Sequence, residues 1–222
     1  MGPGTASGGV TIEVAGEVLE LRPDRSVYWP GERTLFVADV HLGKAATFRS
    51  FGLPVPTGTT DGTLDVLSRA IEETRVGRLV ILGDLWHAKA GRTDEVVGKF
   101  LDWRERHDGV SMVLVEGNHD RRSGRLPNGS CVEEVAEPFG LGPFALRHYP
   151  EPSSSGYVLS GHLHPGAVLD GPGRQSMKLP CFWFGREVAV LPAFGDFTGC
   201  AAIRPARGDS VFVLADGRVC RV

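Results

Sequence analysis

Thr34–His41, TLFVADVH, is the stretch that decides the fold. A turn at Pro30-Gly31 precedes it, and Thr34–Ala38 then runs apolar without a break. A short unbroken apolar run closed by turns reads as a strand covered on both faces, which is how strands of a parallel sheet are written. It delivers Asp39 and His41 at its carboxyl end. Two later stretches repeat the pattern: Leu79–Leu82 leads to Asp84, and Met112–Val115 leads to Asn118 and His119. Between them lie two stretches with helical spacing. One covers about 60–74, with Leu64, Val66, Leu67 and Ile71 apolar, and the other about 93–106, with Val96, Val97, Phe100, Leu101 and Trp103. Strand–helix–strand alternation implies parallel strands in one sheet, and such sheets bind ligands beyond the carboxyl ends of their strands. All three motifs therefore fall on one edge.

Outward from this block the style changes. Val10–Val14, Val18–Leu21 and Ser26–Trp29 read as short strands before it. Phe144–His148, Tyr157–Ser160, Met177–Phe184, Val188–Leu191 and Val211–Leu214 read as strands after it, joined by turns and by polar loops at Ser153–Gly156 and Gly171–Arg174. A second, mostly antiparallel sheet packed on the first is the simplest arrangement. The expectation is one domain over residues 1–222 with a flexible start at 1–9, in the α/β (α+β) class. Residues 1–9 lack the charged and apolar regions of a secretion signal, and no apolar run is long enough to span a bilayer. The four cysteines have no C-x-x-C pairing, which suits reduced, partly buried thiols in a cytoplasmic protein. A net charge of −3 gives no global pull toward nucleic acid, so a polyanionic substrate would have to be attracted by bound cations and local basic loops.

Six of the seven histidines fall in five motifs: Asp39-Val40-His41, Gly83-Asp84-Leu85-Trp86-His87, Gly117-Asn118-His119-Asp120, His148 and Gly161-His162-Leu163-His164. Carboxylate, amide oxygen and imidazole are donors for ions such as Mn, Fe, Ni, Zn or Mg. Asp39 and His41, two apart on an extended stretch, would face the same way. Asp84 could bridge two ions. One ion would then take Asp39, His41, Asp84 and His164, and the other Asp84, Asn118, His148 and His162. Such a pair can clamp a phosphoryl group and lower the pKa of the water between the ions. His119 remains outside the ligand set and is expected to stabilise charge or protonate the leaving group. Arg121 and Arg122, with Arg125, follow in a Ser/Gly-rich loop and are candidates for contacts to flanking phosphates. Lys44 and Arg49 are weaker candidates of the same kind. Trp86 is expected to pack beneath the site rather than stack on a base. Phe182-Trp183-Phe184 is assigned to the core or to a dimer face, which leaves a homodimer open.

The order D-x-H, G-D-x-x-H, G-N-H-D, H, G-H-x-H resembles the calcineurin-like metallophosphoesterase superfamily, over about residues 34–164. The resemblance implies a four-layer α/β/β/α sandwich with two central mixed β-sheets, the same two-ion ligand set, and His119 as the invariant histidine of the third motif. Most phosphatases of the superfamily end the second motif in Asp. His87 at that position is similar to repair nucleases of the SbcD type, which implies that His87 is a catalytic partner of His119. Leu42-Gly43-Lys44, Gly52–Thr60, Leu179–Phe184 and Leu191–Gly195 further resemble bacterial ligase-associated DNA-damage-response metallophosphoesterases of the PdeM type. That likeness implies a metal-dependent endonuclease or phosphodiesterase acting on DNA in repair, with an ATP-dependent DNA ligase, a helicase and an exonuclease as candidate partners; two divalent ions are expected, manganese first among them. The rival expectations are a phosphodiesterase or phosphatase acting on cyclic nucleotides or nucleotides, and a non-catalytic scaffold of the same fold.

Overall fold

The computed structural model describes residues 8–222 apart from Pro172 and Arg174. Residues 1–7 of the expected flexible start, and those two positions of the expected 171–174 loop, lie outside the described residues. Gly8 is anchored: its carbonyl accepts the Val219 N–H at 2.8 Å.

The first sheet keeps strict chain order: β1 (Val10–Val14), β2 (Glu17–Leu21), β3 (Val27–Trp29), β4 (Thr34–Val37), β5 (Arg78–Ile81), β6 (Ser111–Val115) and β7 (Val132–Val135). The first four pair antiparallel, and β4 to β7 pair parallel. Two long helices, α2 (Thr59–Thr74) and α3 (Asp94–Arg106), supply the crossovers. Thr93 caps α3 by accepting the Val96 N–H on its hydroxyl, with Asp94 and Glu95 in the first turn. The second sheet holds β8 (Phe139–Leu141), β9 (Phe144–Leu146), β10 (Tyr157–Ser160), β11 (Pro165–Asp170), β12 (Ser176–Phe184), β13 (Val188–Val190), β14 (Ala201–Ala202), β15 (Ser210–Ala215) and β16 (Arg218–Arg221). It is mixed: β9–β10–β13 and β11–β14 run parallel, while β12 lies antiparallel to β11, β13 and β15.

Alternation along β4 explains the layering. Leu35 and Val37 face α2 and α3, where they pack with Leu64, Leu67, Ile71, Phe100 and Trp103. Phe36 and Ala38 face the second sheet and pack with Phe144, Leu146, Leu159, Phe182 and Leu191. The unbroken apolar run is thus the requirement of a strand with a core on each side. Phe182 and Phe184 are buried here, so that run belongs to the core. On the far face of the second sheet, Cys181, Val211 and Val213 pack with Leu179, Trp183 and Ile203. No α-helix follows residue 123 among the described residues, so this face carries no helical layer like that of α2 and α3.

Two short helices escape the periodicity reading, α1 (Lys44–Ser50) and α4 (Asn118–Ser123). Each is too short for an amphipathic repeat to register. Arg121 and Arg122 therefore sit on a helix, not in a loop. The cysteines are all free, but Cys131 and Cys220 are exposed and only Cys181 is buried, a correction to the expectation of partial burial throughout. No helix is long and apolar enough to cross a membrane among the described residues.

Candidate metal centre

The carboxyl ends of β4 and β5 continue as paired loops rather than separating. Asp39 N–H donates to Gly83 O at 3.1 Å, His41 N–H to Asp84 O at 2.9 Å, and Leu42 N–H to Leu85 O at 2.8 Å. The second sheet joins the same edge through Phe194 N–H to Ala38 O at 2.8 Å, and through His162 N–H to Asp39 Oδ2 at 2.9 Å.

The backbone here departs from the extended conformation expected of Asp39 and His41. Asp39 (φ +53°), His41 (φ +50°), Asp84 (φ +57°), His162 (φ +69°) and His164 (φ +47°) all occupy the left-handed region. Residues with a Cβ rarely adopt it and do so at a cost of about 1–3 kcal/mol each. Five such residues around one point mark a functional constraint. The side chains of all five point into the two ligand groups at this edge. Two glycines make room. A Cβ at Gly83 would lie 2.1 Å from His148 Nδ1, and one at Gly117 would lie 2.2 Å from Asp84 Oδ1.

The seven expected ligands converge. His41 Nε2 and His164 Nε2 lie 3.3 Å apart, and His164 Nε2 is 3.4 Å from Asp39 Oδ1. On the other side His148 Nε2 is 3.0 Å from Asn118 Oδ1 and 3.1 Å from His162 Nδ1. Asp84 Oδ2 stands between the groups, 4.0 Å from His41 Nε2 and 3.5 Å from His148 Nε2.

These contacts fit bound cations better than they fit hydrogen bonds. His148 Nδ1 spends its proton on Leu82 O at 3.0 Å, so a neutral His148 turns the Nε2 lone pair toward the oxygens of Asn118 and Asp84. A cation between them resolves that opposition. Asp39 Oδ1 is buried with no hydrogen-bond partner, as an ion-facing oxygen would be. Burial, then the charges of His164 and Lys44, holds the His41 imidazole far below its ordinary pKa, and it is the neutral ring that binds metal. Burial also pushes Asp84 upward, against the pull of His148, so this carboxylate sits in an environment that calls for positive charge. Donor atoms about 3 Å apart are what ligands about 2.1 Å from a shared ion would show.

His119 lies beside both groups. Its Nε2 is 4.0 Å from Asp84 Oδ2, its side chain is 34% exposed, and its backbone N–H donates to Asp84 Oδ1 at 2.9 Å. Its Nδ1–H donates to the backbone carbonyl of His87. The rings of His87 and His119 stack at 5.2 Å and 17°. His87 therefore reaches His119 through its main chain and its ring face. The His87 Nδ1 is buried without a hydrogen-bond partner, and burial, then Lys44 and His119, pushes its pKa down to about 4. Its ring also meets Phe48 of α1 edge-on at 5.9 Å.

Asp120, the last letter of the third motif, received no role from the sequence. Its buried carboxylate accepts the N–H groups of Asp84 (2.7 Å), Trp86 (3.1 Å) and Gly117 (3.1 Å), tying the second motif to the third. Trp86 is wholly buried and packs edge-on against Phe100 at 5.2 Å. Arg92 covers it at 4.9 Å and donates to the carbonyls of Ser123, Gly124 and Arg125, closing the end of α4. Arg121 pairs with Glu116 at 3.5 Å, while Arg122 is exposed.

A family model of calcineurin-like phosphoesterases matches residues 32–148, more than half of the chain. The chain belongs to the calcineurin-like phosphoesterase family. Among solved structures it is similar to the crystal structure of Pseudomonas putida nuclease MPE, with 42% identity and a TM-score of 0.84, covering 96% of this chain and 100% of that one. A phosphoesterase from E. coli, Yfce, aligns at 18% identity over 85% of this chain and 97% of that one, with a TM-score of only 0.38. No curated protein matches the chain. The matched segment of this phosphoesterase holds Asp39, His41, Asp84, Asn118, His119 and His148. His162 and His164 come from the second sheet, beyond it. The family assignment makes the chain a metal-dependent phosphoester hydrolase, and the convergent Asp, Asn and His donors are its candidate metal centre.

Proposed function

We propose that this phosphoesterase cleaves phosphodiester bonds of DNA with two divalent ions held by one shared carboxylate. Asp39, His41, Asp84 and His164 would hold one ion, and Asp84, Asn118, His148 and His162 the other. The observation that carries this reading is the position of Asp84 Oδ2 between His41 Nε2 and His148 Nε2. When bound, such a pair polarises a phosphoryl oxygen and activates water for in-line attack.

The chain's own residues supply the remainder. The hydrogen bond from His119 Nδ1 to the His87 carbonyl fixes which nitrogen carries the proton and leaves Nε2 directed at the reacting side. With the ring doubly protonated, its Nε2–H can bind the developing charge or pass its proton to the departing oxygen. The His87 ring stacks on it and holds its plane. Arg121 and Arg122 follow His119 on α4 and would meet the backbone phosphates flanking the scissile bond.

DNA as substrate is supported by the likeness to the Pseudomonas putida nuclease. Partial exposure of His119 and His164 also supports it, since it leaves the reacting face open to a polymer. The finer points of the proposal are manganese as the native ion, a role in DNA repair beside a ligase, helicase and exonuclease, a cytoplasmic location, and one domain able to form a homodimer. The direct test is a metal-reconstituted panel of plasmid DNA, oligonucleotides, bis-(p-nitrophenyl) phosphate, p-nitrophenyl phosphate and cyclic nucleotides. Cleavage of DNA and of the diester, with little of the monoester, is expected. Turnover confined to monoesters or cyclic nucleotides would reject DNA as the substrate.

A further inference from the structure

Tyr149 has no part in the reading above, yet it packs on both histidines assigned to the second ion. Its ring centroid lies 4.6 Å from that of His162, tilted by 60°, and 5.1 Å from that of His148, edge-on at 71°. These are the tilted and edge-to-face geometries that aromatic rings prefer. The backbone beneath is pinned: the N–H groups of His148 and Tyr149 both donate to Glu137 Oε2, at 2.8 and 3.2 Å.

The two histidines are supported unequally. A metal-binding imidazole is usually fixed by a hydrogen bond from its other nitrogen to a carbonyl or carboxylate. His148 has that bond, from Nδ1 to Leu82 O. His162 turns Nδ1 toward His148 Nε2 at 3.1 Å and makes no side-chain hydrogen bond to a carbonyl or carboxylate among the described residues. It sits at a left-handed backbone position, is only half-buried, and is followed by the exposed Leu163. No carbonyl or carboxylate orients its ring, whereas the ring of Tyr149 packs against it.

We propose that Tyr149 is the positioning residue of the second ion: its ring takes the place of the missing outer hydrogen bond and keeps the His162 imidazole aimed at Asp84, Asn118 and His148. The proposal rests on the two-ion reading. It assigns the work to the aromatic ring and not to the phenolic hydroxyl, which separates the conservative variant from the others.

The test is manganese binding to the full chain, stripped with chelator and titrated calorimetrically, with free Mn²⁺ followed by electron paramagnetic resonance. Wild type should take two ions. Tyr149→Ala and Tyr149→Leu should weaken one of the two by about 10- to 100-fold, the usual cost of losing outer support, and leave the other within about twofold. Tyr149→Phe should bind both as wild type does. Thermal melts of the stripped proteins establish that each variant is folded. If Tyr149→Ala does not fold, the comparison of Leu with Phe carries the same decision. Unchanged binding in the Ala or Leu variant overturns the proposal. So does equal weakening of both ions, which means general loosening, and so does a Phe variant as weak as Leu, which would put the work on the hydroxyl. A wild-type chain that takes fewer than two ions breaks the two-ion reading itself, a separate result.

Discussion

The carboxylate of Asp120 accepts the backbone N–H of Asp84 at 2.7 Å, so the third motif holds the second in its left-handed turn. The same carboxylate accepts from Trp86 and Gly117. Removing it leaves three buried donors without a partner. Asp120→Ala should therefore lose on the order of 3 kcal/mol of stability, given about 1–3 kcal/mol for each unsatisfied buried group and partial relaxation. A lowered urea midpoint with unchanged slope is the expected reading. Asp120→Asn, which keeps one acceptor oxygen, should fall between. An alanine variant as stable as wild type would remove the clamp from the account.

His119 and His87 should separate in their effects. His119→Ala should lower kcat on bis-(p-nitrophenyl) phosphate by about 10²- to 10⁴-fold, the usual worth of a positioned general acid. Its metal content should stay at two ions. His87→Ala keeps the backbone carbonyl that accepts from His119 and loses only the stacked ring, so its loss should be the smaller, about 10- to 100-fold. Equal losses would mean that the His87 imidazole itself transfers a proton.

Gly83→Ala should fail at the structural level. The added Cβ would meet His148 Nδ1 at 2.1 Å and displace the ring from Leu82 O, at a position whose φ of +82° already disfavours a side chain. A loss on the order of 3 kcal/mol or more is expected, of the size that local strain and a broken buried hydrogen bond produce together. Thermal denaturation measures it. A wild-type melting temperature would show that His148 can move aside at no cost.

How much of this was legible in the chain follows from what each feature depends on. The runs TLFVA, LVIL and MVLV read directly as strands because burial on both faces leaves no polar alternation to confuse the period. Their polar carboxyl ends brought six site residues, Asp39 to His119, to one edge: Asp39, His41, Asp84 and His87 in the paired loops, Asn118 and His119 at the start of α4. The left-handed backbone did not show, since the preference of Asp and His for it is too weak to place a turn; only the flanking Gly83 and Gly161 hinted at tight turns. Strands β7, β8, β11, β14 and β16 were missed: Val132–Val135 and Arg218–Arg221 are short, half-polar edge segments that owe their strand state to a neighbour, and Ala201–Ala202 is too short to register. The support from Asp120 and Tyr149 was invisible for a related reason. Both act on groups brought to them by the fold, and only the third motif's last letter pointed to the former.

Lys44 offers a test of phosphate contact. Its ammonium is half-buried, meets Thr198 Oγ1 at 3.3 Å, and forms no ion pair among the described residues. Its charge is felt at His41 and His87, and burial, opposed by Asp39, lowers its own pKa. A cation so placed would bind a phosphate next to the scissile one. Lys44→Met should flatten the slope of log K against log salt for single-stranded DNA by about 0.7, one phosphate's share of counterion release. Fluorescence anisotropy with a non-hydrolysed oligonucleotide gives the slope; an unchanged value would remove Lys44 from the binding path.

The central claim is that Asp84 is shared by two cations. The most direct measurement is anomalous diffraction from crystals grown with excess manganese. The account predicts two peaks per chain, one enclosed by Asp39, His41 and His164, the other by Asn118, His148 and His162, with the Asp84 carboxylate reaching both. A single peak, or two peaks of which only one touches Asp84, would contradict it.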